Sequence, residues 1–235
     1  MFLHYLSFLL TFCLVAYANV EKTIFLAPHT LTVPTVDPTL DDLGLERLSP
    51  TNPVLRTKLN ASFPTTESQG TESWYFLEHL TPGRRYEVRI CWLATQPTAF
   101  SLDTHTVTQA VETPDIFSSI TFYSQARLAS PSNVVPRQPS TIHDQAPTSD
   151  SVLFLRVTAA ADYFSLDQSL MENVPPVVAD IILDPFLFNV FPQSLIPTAC
   201  YISLVACLAV FIGRWVLGQF DKAIDSTIGQ KDKKQ

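Results

Sequence analysis

From residue 195 to residue 213 the chain carries no charged side chain. That run constrains the fold more than any other stretch, because a charge-free segment of such length belongs in hydrocarbon. At ~1.5 Å rise per residue, a helix over residues 195–217 is about 34 Å long, enough to cross the core of a bilayer with some tilt. Arg214 falls near its far end, where the stem can lie along the helix while the guanidinium reaches the headgroups. Trp215 beside it suits the interface. A buried helix of a soluble core is the alternative, and the length of the uncharged run speaks against it.

Charge sets the expected orientation. Between Arg156 and Arg214 there is no Lys or Arg, while Asp162, Asp167, Glu172, Asp180 and Asp184 all fall there; beyond the run come Lys222, Lys231, Lys233 and Lys234. Lys and Arg mark the cytosolic side of a span, so residues 218–235 read as a cytosolic tail and residues 19–194 as lumenal or extracellular. The formal net charge of −7 divides into about +2 from residue 214 onward and −9 before it, which does not suit nucleic acid. Residues 1–18 read as a secretory signal peptide: an apolar core closes on Ala16-Tyr17-Ala18, a small-x-small cleavage pattern. A retained first anchor is the alternative, disfavoured by the shortness of the run. In the closing KDKKQ, Lys231 and Lys233 resemble a dilysine signal for retrieval to the endoplasmic reticulum, although plain positive-inside charge accounts for them equally. The polar tail after the apolar run argues against a GPI-anchor signal, which ends in its hydrophobic stretch.

Residues 19–173 read as one β-sandwich domain. In RYEVRICWL, Tyr86, Val88, Ile90 and Trp92 alternate with Glu87, Arg89 and Cys91, the period of a half-buried strand. The charged residues of 84–89 are then its wet face. The preceding Leu-x-Pro-Gly turn, with Pro82 and Gly83, resembles the tyrosine corner of fibronectin-like sandwiches. EKTIFLAP, VLRTKLNASF, ESWYFLEHL, TAFSLDTHTV, SITFYSQARL and SVLFLRVTAAADYF are the other strand candidates. Residues 130–150, rich in Pro and Ser, read as a mobile loop between strands. Asn60-Ala61-Ser62 is an N-glycosylation sequon. Of four cysteines, Cys13 lies in the signal and Cys200 and Cys207 in the span, which leaves Cys91 without an intradomain disulfide partner.

Catalytic signatures are missing. Six glycines include no G-x-G spacing, which excludes the dinucleotide fingerprint and the phosphate loop; no G-x-S-x-G elbow occurs, and the five histidines show no metal-ligand spacing. No cofactor is expected. Cys91 with His79 or His105 could be set out as nucleophile and base, but a half-buried inert thiol explains it better. Asp180 and Asp184 stand four apart, one face of a helix, and could form an acid–base pair; the plainer reading is a helix cap and an Asp-Pro turn at Pro185. The surrounding segment, residues 174–194, is strongly apolar, and its prolines at 175, 176, 185 and 192 are expected to interrupt any regular element. It reads as a juxtamembrane piece too greasy for a small sandwich to absorb. A partner protein suits it better than lipid, because Asp180 and Asp184 would be repelled by acidic headgroups.

EKTIFLAP, RRYEVRICWLATQPTAF and DIILDPFLFNVFPQSLIPTACYI together resemble the fungal co-activator subunit of GPI mannosyltransferase II. The periodicity and the charge-free run give an all-β lumenal sandwich, fibronectin- or Ig-like, with one C-terminal transmembrane helix. The resemblance implies a single-span protein of the endoplasmic reticulum membrane. It implies a non-catalytic partner of the multispanning catalytic subunit that adds the second mannose to the GPI precursor. Asp180, Asp184, Pro185, Phe188, Asn189 and Phe191 are then the expected partner interface, with Trp92, Gln96 and Pro97 as a second candidate region. An adhesion or receptor ectodomain, or a chaperone or cargo receptor of the early secretory pathway, shares the same topology.

Overall fold

The computed structural model describes residues 19–33, 40–129 and 148–232. The signal segment 1–18, most of the 130–150 loop, Lys233 and the side chain of Lys231 lie outside the described residues. The chain forms two units, the first reaching to Val190 and the second starting at Phe191.

The first unit is a two-sheet sandwich. One sheet holds β1 (Val20–Leu26), β6 (Arg85–Trp92), β10 (Val177–Leu187) and β4 (Val54–Leu59), in the spatial order β1-β6-β10-β4, all antiparallel. The other holds β3 (Glu46–Leu48), β5 (Thr71–Leu77), β9 (Leu153–Ala161) and β7 (Thr98–Thr106), in that order, with β3 parallel to β5 and the rest antiparallel. A small pair, β2 (Leu31–Val33) with β8 (Thr148–Asp150), stands apart, so the end of the expected loop is strand. The core lies between the sheets: Tyr86, Val88, Ile90, Val177, Ala179, Ile181 and Leu183 face Tyr75, Leu77, Leu155, Val157 and Ala159, all buried.

The turn into β6 is a tyrosine corner, as its sequence indicates. The Tyr86 hydroxyl accepts the Thr81 N–H at 3.1 Å, and Arg84 N–H closes the turn on the Thr81 carbonyl at 3.0 Å. Gly83 sits at φ +72°, the value the third position of such a turn requires. Tyr86 is fully buried and stacks on Phe25. A tighter constraint falls at Gly70, φ +147°, where a Cβ would stand 2.6 Å from the Ala159 carbonyl oxygen. The two backbones approach there because no side chain intervenes.

Two expectations are corrected. SITFYSQARL is not a strand: it lies in α2 (Pro114–Leu128), which follows the short α1 (Val107–Glu112). Thr106 ends β7 and caps α1 in a reciprocal capping box with Gln109, and Pro114 opens α2 at its first turn, where its missing N–H costs nothing. Ile116, Ile120 and Tyr123 recur at helical spacing and pack on Trp74, Phe76 and Phe154, giving the outer face of the second sheet its own small core, while buried Ser124 donates to the Leu43 carbonyl at 2.7 Å. Residues 177–187 are also regular, forming the strand between β6 and β4. Pro185 is tolerated because its nitrogen lies past the end of β4, which begins at Val54 across from Ile182; on that side the Leu183 N–H still reaches the Pro53 carbonyl at 2.8 Å.

A polar chain runs beneath α2. Trp74 Nε1 donates to Ser119 Oγ at 2.9 Å, and Ser119 Oγ donates to Glu72 at 2.5 Å. Arg156 bridges Glu72 and Asp103 at 3.4 and 2.9 Å and lies over the Trp74 ring, against which His105 also packs. Burial, reinforced by the Arg156 charge, pushes the His105 imidazole below its ordinary value despite Asp103 and Glu72.

In the second unit a single turn of 3₁₀ helix, Gln193–Leu195, leads into α4 (Ile196–Asp232), the third helix, α3, being the short Gln168–Glu172 of the first unit. Residues Gln193–Phe220 are long and apolar enough to cross a membrane.

Gly70→Ala is expected to lower stability by roughly 2–4 kcal/mol, because the new Cβ meets backbone and φ is unfavourable. Tyr86→Phe should cost about 1 kcal/mol through the lost corner bond; urea midpoints measure both. The depressed His105 means that the unfolded chain takes up its proton first as acid is added. Stability from the neutral ring is therefore complete above the ordinary value of about 6.5 and is lost as pH falls from there toward the folded value. His105→Gln should flatten that part of the stability–pH profile.

Candidate interaction surface

β10 runs antiparallel to β6, so its C-terminal end meets the tyrosine-corner turn. There the chain reverses through Leu187-Phe188-Asn189-Val190, closed by Val190 N–H on the Leu187 carbonyl at 3.0 Å, with φ of +50° at Phe188 and +58° at Asn189. Positive φ at both central positions defines a type I′ turn, whose twist matches that of paired strands. Asn suits such a position; Phe does not, and is held there by what surrounds it. The Asn189 amide is the clamp: Oδ1 accepts the Arg85 N–H at 2.8 Å and Nδ2 donates to the Gly83 carbonyl at 3.1 Å. Arg84 adds a bond from Nε to the Phe186 carbonyl at 3.2 Å, and the Arg85 guanidinium lies over the Phe186 ring. The result is a fixed turn that presents Phe188, 86% exposed, beside Val190, 71% exposed. Pro185, two positions inside the strand, is half-buried opposite Tyr86. Phe191 is half-buried and belongs to the second unit.

Asp180 and Asp184 share a face because a strand repeats every two residues, not because of a helix, and neither caps one. Their Cα atoms are about 13 Å apart on that period, too far for a coupled acid–base pair. Asp180 stands directly across from Arg56 on β4 and accepts a two-pronged bond, 2.7 and 2.8 Å. That hydrogen bonding holds its carboxyl below the usual carboxylate range. Asp184 is buried directly across from buried Glu87. Two facing carboxylates repel, and the pair is tolerated because Arg89 lies 3.6 Å from each while Lys22 reaches Glu87 at 3.4 Å. The expected wet face of β6 is thus wet only in part: Arg85 is exposed, but Glu87 is covered.

Trp92, Gln96 and Pro97 lie at the other end of β6, about 23 Å from Arg85 at the rise of a strand. Trp92 packs edge-on to Phe100, with ring centroids 4.7 Å apart. Gln96 completes the sheet where β6 stops: its Oε1 accepts the Val178 N–H at 3.1 Å and its Nε2 donates to the Pro176 carbonyl at 3.2 Å. The Pro97 carbonyl accepts the Asp162 N–H at 3.1 Å. The two expected regions are therefore separate surfaces. The first gathers Asp184, Pro185, Phe188 and Asn189; the second is largely taken up by internal bonds.

Sequence reasoning missed the arginines of the first surface, Arg84 and Arg85, and the exposed Leu26 opposite Arg85. The readable signal was Asn189 in the second place of a two-residue loop. Among the described residues no group of three or more His, Cys, Asp or Glu side chains is placed to hold a metal ion. Burial, the largest influence on it, pushes the Cys91 thiol up, away from the reactive thiolate.

A family profile described as GPI-Mannosyltransferase II co-activator matches residues 9–129. No curated protein and no solved structure matches the chain. The matched stretch takes in β1 to β7 with α1 and α2, more than half of the sequence. The architecture it enters is the one that its residues dictate, a sandwich closed by a tyrosine corner in a chain that also carries one membrane-length apolar helix. The chain belongs to the family of GPI-mannosyltransferase II co-activators.

Proposed function

We propose that this protein is a non-catalytic accessory subunit of the endoplasmic reticulum membrane. It binds the multispanning mannosyltransferase that adds the second mannose to the GPI precursor, and so stabilises or activates it. The first unit is lumenal, the apolar helix is a single type I span, and the tail with Lys231 and Lys233 is cytosolic and serves retrieval. A transfer between a lipid-linked donor and a lipid-linked acceptor requires an enclosed site at the membrane, which the catalytic subunit provides. The helper's task is contact.

The contact is centred on Phe188. It lies five residues before Gln193, where the apolar segment begins, so the turn is tethered near the bilayer by covalent reach alone. A rigid exposed aromatic flanked by arginines has the character of an interface anchor, because little entropy is lost when it docks. Pro185 lies close by on β10 and the Asn189 amide holds the turn from behind, whereas the Asp180–Arg56 pair stands toward the Trp92 end of the sheet, since Ala179 is across from Trp92. Phe191 of the second unit is a further proposed contact residue. This rigid Phe188 turn is the observation that carries the assignment of the surface. Trp92, Gln96 and Pro97 form the second candidate surface.

Phe188→Ser in the full-length protein should weaken recovery of the transferase from mild detergent by tenfold or more, on the order of 2 kcal/mol for a central aromatic, with the fold unchanged. Gln96→Ala, at the opposite end and outside the core, should reduce recovery far less than Phe188→Ser; the reverse order would move the contact to that end of the sheet. Depletion of the protein should accumulate a GPI precursor that carries one mannose, read by mass spectrometry of the lipid fraction.

A further inference from the structure

The sequon is the one motif that the accessory role leaves unused, and the structure sets it beside a groove. β4 is the outer strand of its sheet. Along it, beneath the flank of α2, runs an open groove of about 1000 Å³, within the range of small-ligand sites. Asn60, Lys58, Thr71, Ser119, Phe122 and Tyr123 are among its walls. Its inner wall is polar and internally bonded. Arg127 reaches Glu46 at 3.2 Å and the Gly44 carbonyl at 2.9 Å, and Ser119 bonds Glu72. Its rim carries a large exposed aromatic, the Phe122 ring, 75% exposed.

Asn60 is exposed, and its place is fixed from the sequon's third residue. Ser62 Oγ accepts from Thr71 at 3.1 Å, and the Ser62 carbonyl accepts the Ala161 N–H at 3.0 Å. The root of anything attached at Asn60 is therefore anchored at the wall of the groove. We propose that the oligosaccharide joined to Asn60 lies back in this groove, with its first N-acetylglucosamine residues over Phe122. Attachment follows ordinary chemistry. Asn60 Nδ2 forms a bond to C1 of the sugar as the C1–O bond to a polyprenyl pyrophosphate donor breaks. The amide loses a proton and the pyrophosphate leaves with the bonding electrons. A pyranose has an apolar C–H face that shields an exposed ring from water, and its hydroxyls and amide meet the Ser, Thr and Tyr groups of the wall. The docked glycan covers the open edge of β4, which would otherwise offer unpaired backbone groups to another chain.

This rests on the lumenal orientation of the first unit, and the test separates the two. Full-length wild type, Asn60→Gln, Ser62→Ala and Phe122→Ser are compared, together with Thr66→Asn in the Asn60→Gln background, which creates a control acceptor motif in the exposed 65–68 loop. Wild type should migrate more slowly than Asn60→Gln and Ser62→Ala. Peptide N-glycosidase should release the glycan from the native detergent-solubilised protein about tenfold more slowly than from Phe122→Ser, since cleavage tracks the undocked population. Circular dichroism confirms that Phe122→Ser is folded, as expected for an exposed position. Equal release rates from the two proteins would overturn the docking. A modified control with an unmodified wild type would overturn the site while leaving the orientation intact. No modification of either would overturn the orientation and this inference together.

Discussion

Strand β10 holds the first unit together. Residues 177–187 enter between β6 and β4, pairing with both, and without them the two strands would be separate edges. Four of the strand's inward side chains, Val177, Ala179, Ile181 and Leu183, belong to the main core and are almost fully buried. The pairing joins distant parts of the sequence, so loop-closure entropy opposes it until both ladders and the core form together. That makes the sheet cooperative. It also fixes where the strand ends, and hence where the Phe188 turn stands.

Charge is handled on the outer face of that sheet in two ways. At Asp180 the carboxylate is left partly in water and aligned with Arg56 in a two-pronged bond, a geometry that favours definite pairing over raw stability. At Asp184 and Glu87 the carboxylates are covered, and Arg89, 3.6 Å from each, together with Lys22 on Glu87 offsets their repulsion. Arg89 contacts both carboxylates only in this register, so the guanidinium helps to fix the pairing of β6 with β10. A slip of β10 by one residue would move Asp184 into the core and Ile181 out of it. The ionic cluster and the apolar face thus specify the same alignment independently.

Much of this was legible in the residues. The alternation of β6, the Pro82-Gly83 corner and the apolar run at 195–213 each state a local physical requirement, and each is met locally. The failures share a cause. Around α2, apolar residues at 116, 117, 120, 122 and 123 satisfy both a helical and an alternating pattern, and the cap at Thr106-Gln109 and the opening Pro114 were the signals that could have decided between them. Pro185 looked like a breaker because nothing in the sequence says that β4 ends before it. Burial of Asp184 and Glu87 depends on a pairing between segments far apart in sequence, and no local pattern announces such a contact. For the candidate surface, the residues on β10 and its turn were visible, whereas the arginines brought to it by β6 were not.

A helper subunit that works by contact gains from rigidity at one point and nowhere else. The Phe188 turn has no covalent brace; it is fixed by the Asn189 amide on one side and by the last ladder bonds of β10 on the other. Its positive backbone angles are strained for an aromatic residue, and they persist because the sheet over-determines them. Loosening of the β6–β10 register therefore relaxes the turn before it unfolds the sandwich, because the Asn189 bonds reach across that same pairing. On the proposed contact at Phe188, core substitutions that loosen the β6–β10 pairing weaken partner binding in proportion to the order they remove from β10. A contact that docks there tightens the same register in return, since binding and strand order are linked through one equilibrium.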